Sequence, residues 1–201
     1  IKDKIIKLGG KFKFNETVIG LKSKNQKISE VKTTKNNYRI NEEQIIISTL
    51  PISVTSKLLG KKNSLKFRGV CSVYLFYDQS RILPKNIHWL YFDSERTLFN
   101  RITENKKLSK FVSPKNKSFL TAEITYSMGD SFSKRKPKEI ISQVIKDMSK
   151  TNLVDSKKLI DATINYEPFV YPVQFMDYKS ETYFIKSFIE SFDNLYSVGA
   201  G

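Results

Sequence analysis

Four runs between residues 67 and 125 (67–77, 87–92, 97–102 and 118–125) are dense in aromatic and β-branched residues, and turn-forming residues separate them. Such side chains suit a pleated, half-buried surface, so the stretch reads as an antiparallel sheet. One face of that sheet needs cover. The segment 138–150, with Pro137 at its first helical position, supplies it by aligning Ile140, Ile141, Val144, Ile145 and Met148 on one stripe. A further strand is expected over 161–171. A second helix is expected over 181–192, with Phe184, Ile185, Phe188, Ile189 and Phe192 at the same spacing.

The flanks have another character. Ile1, Ile5 and Leu8 share a helical face that stops at Gly9-Gly10. Short strands are expected over 11–14, 17–23, 27–33 and 38–40. Segment 44–48 is apolar enough to be buried on both faces, and Pro51 ends it. A turn of helix over 54–59 closes at Gly60, and 194–198 forms a last strand running into glycines. There is no internal repeat. The order predicts an α/β (α+β) chain in which an antiparallel sheet with helices, residues 56–175, interrupts one layer of an α/β fold formed by 1–55 and 176–201. It has the look of an excised piece of a larger protein.

Composition narrows the chemistry. A single cysteine, Cys71, excludes an internal disulfide and a Cys-based zinc site, and a single histidine, His88, excludes multi-His metal centres. No apolar run approaches the roughly 20 residues of a membrane-spanning helix. The net charge of +15 invites a nucleic-acid reading. Only six of the 35 basic residues are arginines, however, and the lysines are spread along the chain. Lysine is the solvated cation and arginine the better reader of phosphates and base edges. A solvated surface is therefore preferred over a specific nucleic-acid partner. Attraction to acidic ligands or to an anionic membrane surface stays open, as does a basic binding module as the competing function.

Five segments, in order, resemble the flavin-dependent amine oxidase superfamily. They are Leu8-Gly9-Gly10 leading to Val18; Ile46-Ile47-Ser48-Thr49-Leu50-Pro51; His88-Trp89-Leu90-Tyr91-Phe92 with Phe99-Asn100-Arg101-Ile102; Tyr171-Pro172-Val173 with Tyr178; and Asn194-Leu195-Tyr196-Ser197-Val198-Gly199. The branch they resemble most is the bacterial protoporphyrinogen-oxidase-like oxidoreductases, often found in polysaccharide or lipopolysaccharide gene contexts. UDP-galactopyranose mutases and phytoene desaturases are related branches.

The resemblance implies FAD as cofactor, with the Val18 backbone reading the adenine edge. It also implies that Thr49 and Pro51 leave a strand towards the cofactor and that Gly199 and Gly201 lie on the strand returning to it. Arg101, Tyr171 and Tyr178 would face a small-molecule substrate. The family's G-x-G-x-x-G phosphate cradle is absent here, and no Arg follows Gly199. The expectation is a C-terminal substrate-binding portion whose partner is a missing N-terminal FAD-binding segment of the same protein. Alone it would be inactive and would hold FAD weakly or not at all. The expected location is the cytoplasm, with peripheral contact to the inner membrane as the variant. The hard chemistry in such enzymes belongs to the isoalloxazine ring, so no catalytic residue is assigned. A non-redox sugar-nucleotide mutase is the second reading on the same fold.

Each candidate also has a plainer role. Val18 suits a core strand, and Thr49 and Pro51 suit a strand end. His88 reads as a half-buried sheet residue rather than a base, and Cys71 as a buried thiol. Arg101, on an apolar strand, needs a carboxylate or an anionic ligand. Glu104 or Glu123 would serve as the carboxylate, and a substrate phosphate or carboxylate as the ligand. Arg96 draws interest for the same scarcity. Tyr171 and Tyr178 are either core aromatics or walls of a substrate pocket.

Overall fold

The computed structural model describes residues 1–93 and 95–198. It divides into two compact units, one formed by Ile1–Leu65 with Gln174–Gly201 and the other by Lys66–Val173. Residues 56–65, which the sequence reading assigned to the inserted sheet, go with the first unit.

In the first unit, helix α1 (Lys2–Lys7) precedes a meander of β1 (Val18–Lys24), β2 (Lys27–Thr33) and β3 (Asn37–Arg39), each antiparallel to the next. Asn25 and Gln26 join β1 to β2 with φ of 50° and 59°. A two-residue hairpin turn with both residues left-handed matches the twist of its strands, and Asn tolerates that region. Strand β4 (Ile46–Ser48) pairs in parallel with β10 (Leu195–Ser197), and α2 (Ile52–Leu58) and α4 (Tyr178–Glu190) pack together beside them. Ile185 and Ile189, one turn apart on α4, are buried with Ile28, Ile52 and Leu195.

Asn194 sews this unit together. Its Oδ1 accepts the Ile28 N–H at 2.7 Å, and its Nδ2 donates to the Ile28 carbonyl at 3.0 Å and the Gln44 carbonyl at 3.3 Å. Its own carbonyl accepts the Ile46 N–H at 2.8 Å. One buried side chain thus ties the meander to the parallel pair.

Two expectations fail here. Residues 11–14 form no strand; Phe12 and Phe14 stack on each other at 5.7 Å, and Lys2 lies over Phe14. Segment 44–48 is not buried on both faces. Among the described residues the parallel sheet has two strands, and Ile47 is 60% exposed.

The second unit is a five-stranded antiparallel sheet of β5 (Phe67–Tyr77), β6 (Trp89–Tyr91), β7 (Arg101–Glu104), β8 (Ser118–Ser127) and β9 (Leu159–Pro172), in the order β6-β7-β8-β5-β9. Alternation sorts its two faces. Cys71, Val73 and Leu75 of β5 meet Ile102 of β7 and Leu120, Ala122 and Ile124 of β8 in the core, under helix α3 (Pro137–Ser149), which adds Ile140, Val144 and Met148. Burial in this layer pushes the Cys71 thiol up to about 12, so it is an inert, protonated core side chain. At Gly69 a Cβ would stand 2.6 Å from the Tyr126 ring across the strand pair, so the ring's position requires glycine there.

Two buried carboxylates hold the loops of this unit. Glu104, fully buried at the end of β7, accepts the Ile82 and Leu83 N–H groups at 2.9 Å each and the Ser118 hydroxyl at 2.8 Å. Asp147 on α3 accepts the Leu98 N–H at 3.1 Å, with Gln143 and Lys150 each at 2.9 Å. That bond explains why β7 begins four residues later than the sequence suggested. Leu98 and Phe99 enter the core from a loop, not a strand. His88 precedes the three-residue edge strand β6 and is exposed, not half-buried in a sheet.

Two stability predictions follow from these anchors. Asn194→Ala should destabilise the first unit by about 2 kcal/mol or more in urea unfolding, because it strands buried backbone groups; an unchanged midpoint would contradict the role given to Asn194. For Asp147, desolvation pushes the carboxyl up, but the bonds from Lys150, Gln143 and Leu98 outweigh it and leave it below its ordinary value. A depressed carboxylate adds stability above its unfolded value, about 3.9, and that stability is lost as pH falls through the lower folded value. The stability advantage of the native chain over Asp147→Asn should therefore shrink as pH drops below about 4; a difference independent of pH would refute it.

Candidate functional site

The face of the five-stranded sheet turned away from α3 carries the second unit's candidate site. Residues alternating with the core set point here, and the strand register lines them up in two cross-strand rows. Tyr91, Arg101, Glu123 and Ser72 are successive partners in one row, and Trp89, Thr103, Thr121 and Tyr74 in the next. These side chains line a cavity of about 460 Å³, bordered also by Asn105 and Leu108. That volume suits a small molecule.

Arg101 is the centre of it. One terminal nitrogen donates to Glu123 Oε2 at 2.5 Å and the other to the Tyr91 hydroxyl at 3.2 Å, with the guanidinium 5.7 Å from the Tyr91 ring. The bond to Glu123 raises the guanidinium above its ordinary value, against desolvation, so it stays charged. The Nε–H is buried and has no hydrogen-bond partner among the described residues. A guanidinium has five N–H donors. The side chain is 31% exposed and each terminal nitrogen keeps a second N–H, so donors of this fork are left for an acceptor entering the cavity while Glu123 holds its plane. Trp89, Tyr91 and Tyr74 provide flat apolar walls beside it.

His88 lies outside this cavity, and among the described residues no group of three or more His, Cys, Asp or Glu side chains is placed to hold a metal ion.

The first unit has its own cavity, of about 540 Å³. Val18, Leu21, Val31, Ile46, Val54 and Leu58 give it apolar walls, and Glu16, Ser48 and Thr49 give it polar groups. Glu16 is fixed by Thr33 at 2.6 Å, Tyr38 at 2.8 Å and Asn36 at 3.2 Å, and the first two of these bonds hold its carboxyl below the ordinary range. Ser48 bonds Thr55 at 2.9 Å. A flat heteroaromatic ring fits such walls. No Lys or Arg is among the lining residues, so the cavity supplies no cation for an anionic group.

The structure therefore brings Val18 and Thr49 into one cavity, with Pro51 just beyond at the start of α2. Tyr171 and Tyr178 line neither cavity. Tyr171 lies on β9 opposite Arg68 and is exposed, whereas Tyr178 opens α4 with its ring edge-on to Phe175. Gly199 and Gly201 lie outside the described residues. The sequence reading did not assign Tyr74, Thr121 and Ser72 to the site; the signal was their period of two opposite the apolar set, usable only once the register of β5 and β8 is known.

No protein-family model matches the sequence, and no curated protein matches it. Solved structures do match in fold. A reduced UDP-galactopyranose mutase is similar over 97% of this chain and 42% of its own, with a TM-score of 0.77 at 15% identity. A putative protoporphyrinogen oxidase from Exiguobacterium sp. 255-15 matches over 98% and 45%, with a TM-score of 0.69 at 12% identity. An oxidoreductase from Methanosarcina mazei matches over 98% and 46%, with a TM-score of 0.57 at 15% identity. The chain thus spans less than half the length of each. Its mixed α/β fold, with antiparallel sheets and four α-helices among the described residues, is similar to the fold of this mutase and these oxidoreductases.

Proposed function

We propose that this chain is the substrate-binding portion of an FAD-dependent oxidoreductase of the amine oxidase or protoporphyrinogen oxidase type, acting on an anionic small molecule. The observation that carries the reading is the sheet-face cavity. A charged, Glu123-braced Arg101 keeps further terminal N–H donors beside the aromatic walls of the cavity. A substrate carboxylate or phosphate would dock on that fork, and Trp89 and Tyr91 would stack its body and keep water from it. FAD, when bound, supplies the hydride-accepting chemistry, and Val18 and Thr49 are the residues of this chain offered to its adenine end.

Support for a larger protein comes from the two-stranded parallel sheet. Parallel strands are nearly always covered on both faces, yet Ile47 and Tyr196 of β4 and β10 are exposed. A further segment of the same protein, carrying the phosphate cradle, is the occupant that this reading assigns to that face.

A non-redox mutase of the UDP-galactopyranose type is the second reading. It is favoured by the fold likeness to that enzyme and by the cluster of Arg101 with Tyr74 and Tyr91, a set able to hold a sugar diphosphate. Turnover without net consumption of an electron acceptor would select it over the first.

The complete gene product should purify yellow and release FAD, identified by chromatography, on denaturation. A colourless protein that takes up no FAD on reconstitution would sink both flavin readings.

A further inference from the structure

One end of the five-stranded sheet gathers three loops. Tyr77 pairs with Ser118 and Leu159, and Glu104 with Leu120, so the loops 78–88, 105–117 and 155–158 emerge together, while the chain enters and leaves this unit at the other end, at Lys66 and Val173. The 105–117 loop has an unusual construction. The Lys106 ammonium is turned inward onto the carbonyls of Pro114, Lys115 and Lys117, closing the loop on itself. Lys107 donates to the carbonyls of Leu83, Pro84 and Ile87, strapping the neighbouring loop alongside. Two cations are thus spent as internal pins. The tip they hold in place is apolar and bare: Phe111 is 86% exposed, Leu108 60% and Val112 47%.

The same end is strongly basic. Arg81, Lys85, Lys110, Lys115, Lys157 and Lys158 are all exposed there. The exposed carboxylates at this end are Asp78, Asp155 and Asp161, with Glu104 buried beneath them beside Lys107; Asp155 accepts the Lys157 N–H and Asp161 the Ala162 N–H. From residue 105 to residue 122 the sequence contains no acidic residue at all. An apolar tip of aromatic and aliphatic side chains ringed by lysines is complementary to a bilayer whose surface is negative. Such a tip suits the headgroup boundary, and lysines near the surface are drawn to its negative charge. Leu108 and Val112 give nothing to a nucleic acid, which would instead call for arginines, and Arg81 alone stands here.

We propose that this sheet end is a docking surface for an anionic phospholipid bilayer, with Phe111 and Leu108 as the inserting residues and Lys110 and Lys115 among the headgroup contacts. The test is cosedimentation of the chain with vesicles of phosphatidylcholine alone or mixed with phosphatidylglycerol. Binding should appear on the mixed vesicles only and weaken as salt is raised. Phe111→Ser with Leu108→Ser should lower the affinity about tenfold or more, and Lys110→Gln with Lys115→Gln should do the same. Because all four side chains are exposed, the thermal midpoint should not move in either variant. Failure to sediment with the anionic vesicles would overturn the proposal. So would binding that the Phe111/Leu108 variant retains in full, which would assign it to diffuse charge. Saturable RNA binding in place of vesicle binding would overturn it as well.

Discussion

The uninterrupted pairing of β5 with β8, from Arg68 opposite Ser127 to Tyr77 opposite Ser118, is the constraint on which the second unit depends. Side chains alternate with a period of two, so this register decides at once which residues are core and which face the cavity. With it in place, Val73 meets Ala122 beneath α3, while Ser72 meets Glu123 and Tyr74 meets Thr121 on the other side. A slip of one residue would send Glu123 into the core and leave Arg101 without its brace. Core and site are two readings of the same ladder.

That dependence explains what the sequence could and could not disclose. Helix α3 was legible because the adjacent pairs Ile140-Ile141 and Val144-Ile145, with Met148, fall on one helical stripe, whereas a strand would send the members of each pair to opposite faces. The chain reversal between 17–23 and 27–33 was legible from the strands themselves, but its two left-handed residues were not, because Asn25 tolerates that region while Gln26 carries no such signal. The partner of Arg101 was narrowed to Glu104 or Glu123, and the ladder decides between them. Glu104 is near in sequence, but an odd offset along β7 turns it to the opposite face, and Glu123 is reached only across the ladder. Asp147 escaped for a related reason: an acid on the apolar stripe of a helix looks like an interruption until the loop whose Leu98 N–H it binds is in place.

Buried polar side chains in both units serve to position backbone that has no ladder of its own. Asn194, Glu104 and Asp147 each satisfy main-chain groups of segments distant in sequence. Lys106 and Lys107 do the converse with carbonyls. A chain with a charge of +15 can be taken for one with cations to spare. The structure sorts them into pins, a charged fork inside a cavity, and a basic rim at one sheet end.

The decisive property of the second unit is whether its sheet-face cavity takes an anion through Arg101. Trp89 lines that cavity and is the chain's single tryptophan, so its fluorescence reports on the site without a label. Titration of the chain with UDP as the anionic probe should give a saturable change in Trp89 emission, and Arg101→Gln should abolish it while the protein stays folded. An emission that does not respond to the nucleotide, or a response identical in Arg101→Gln, would contradict the assignment of this face as the substrate site.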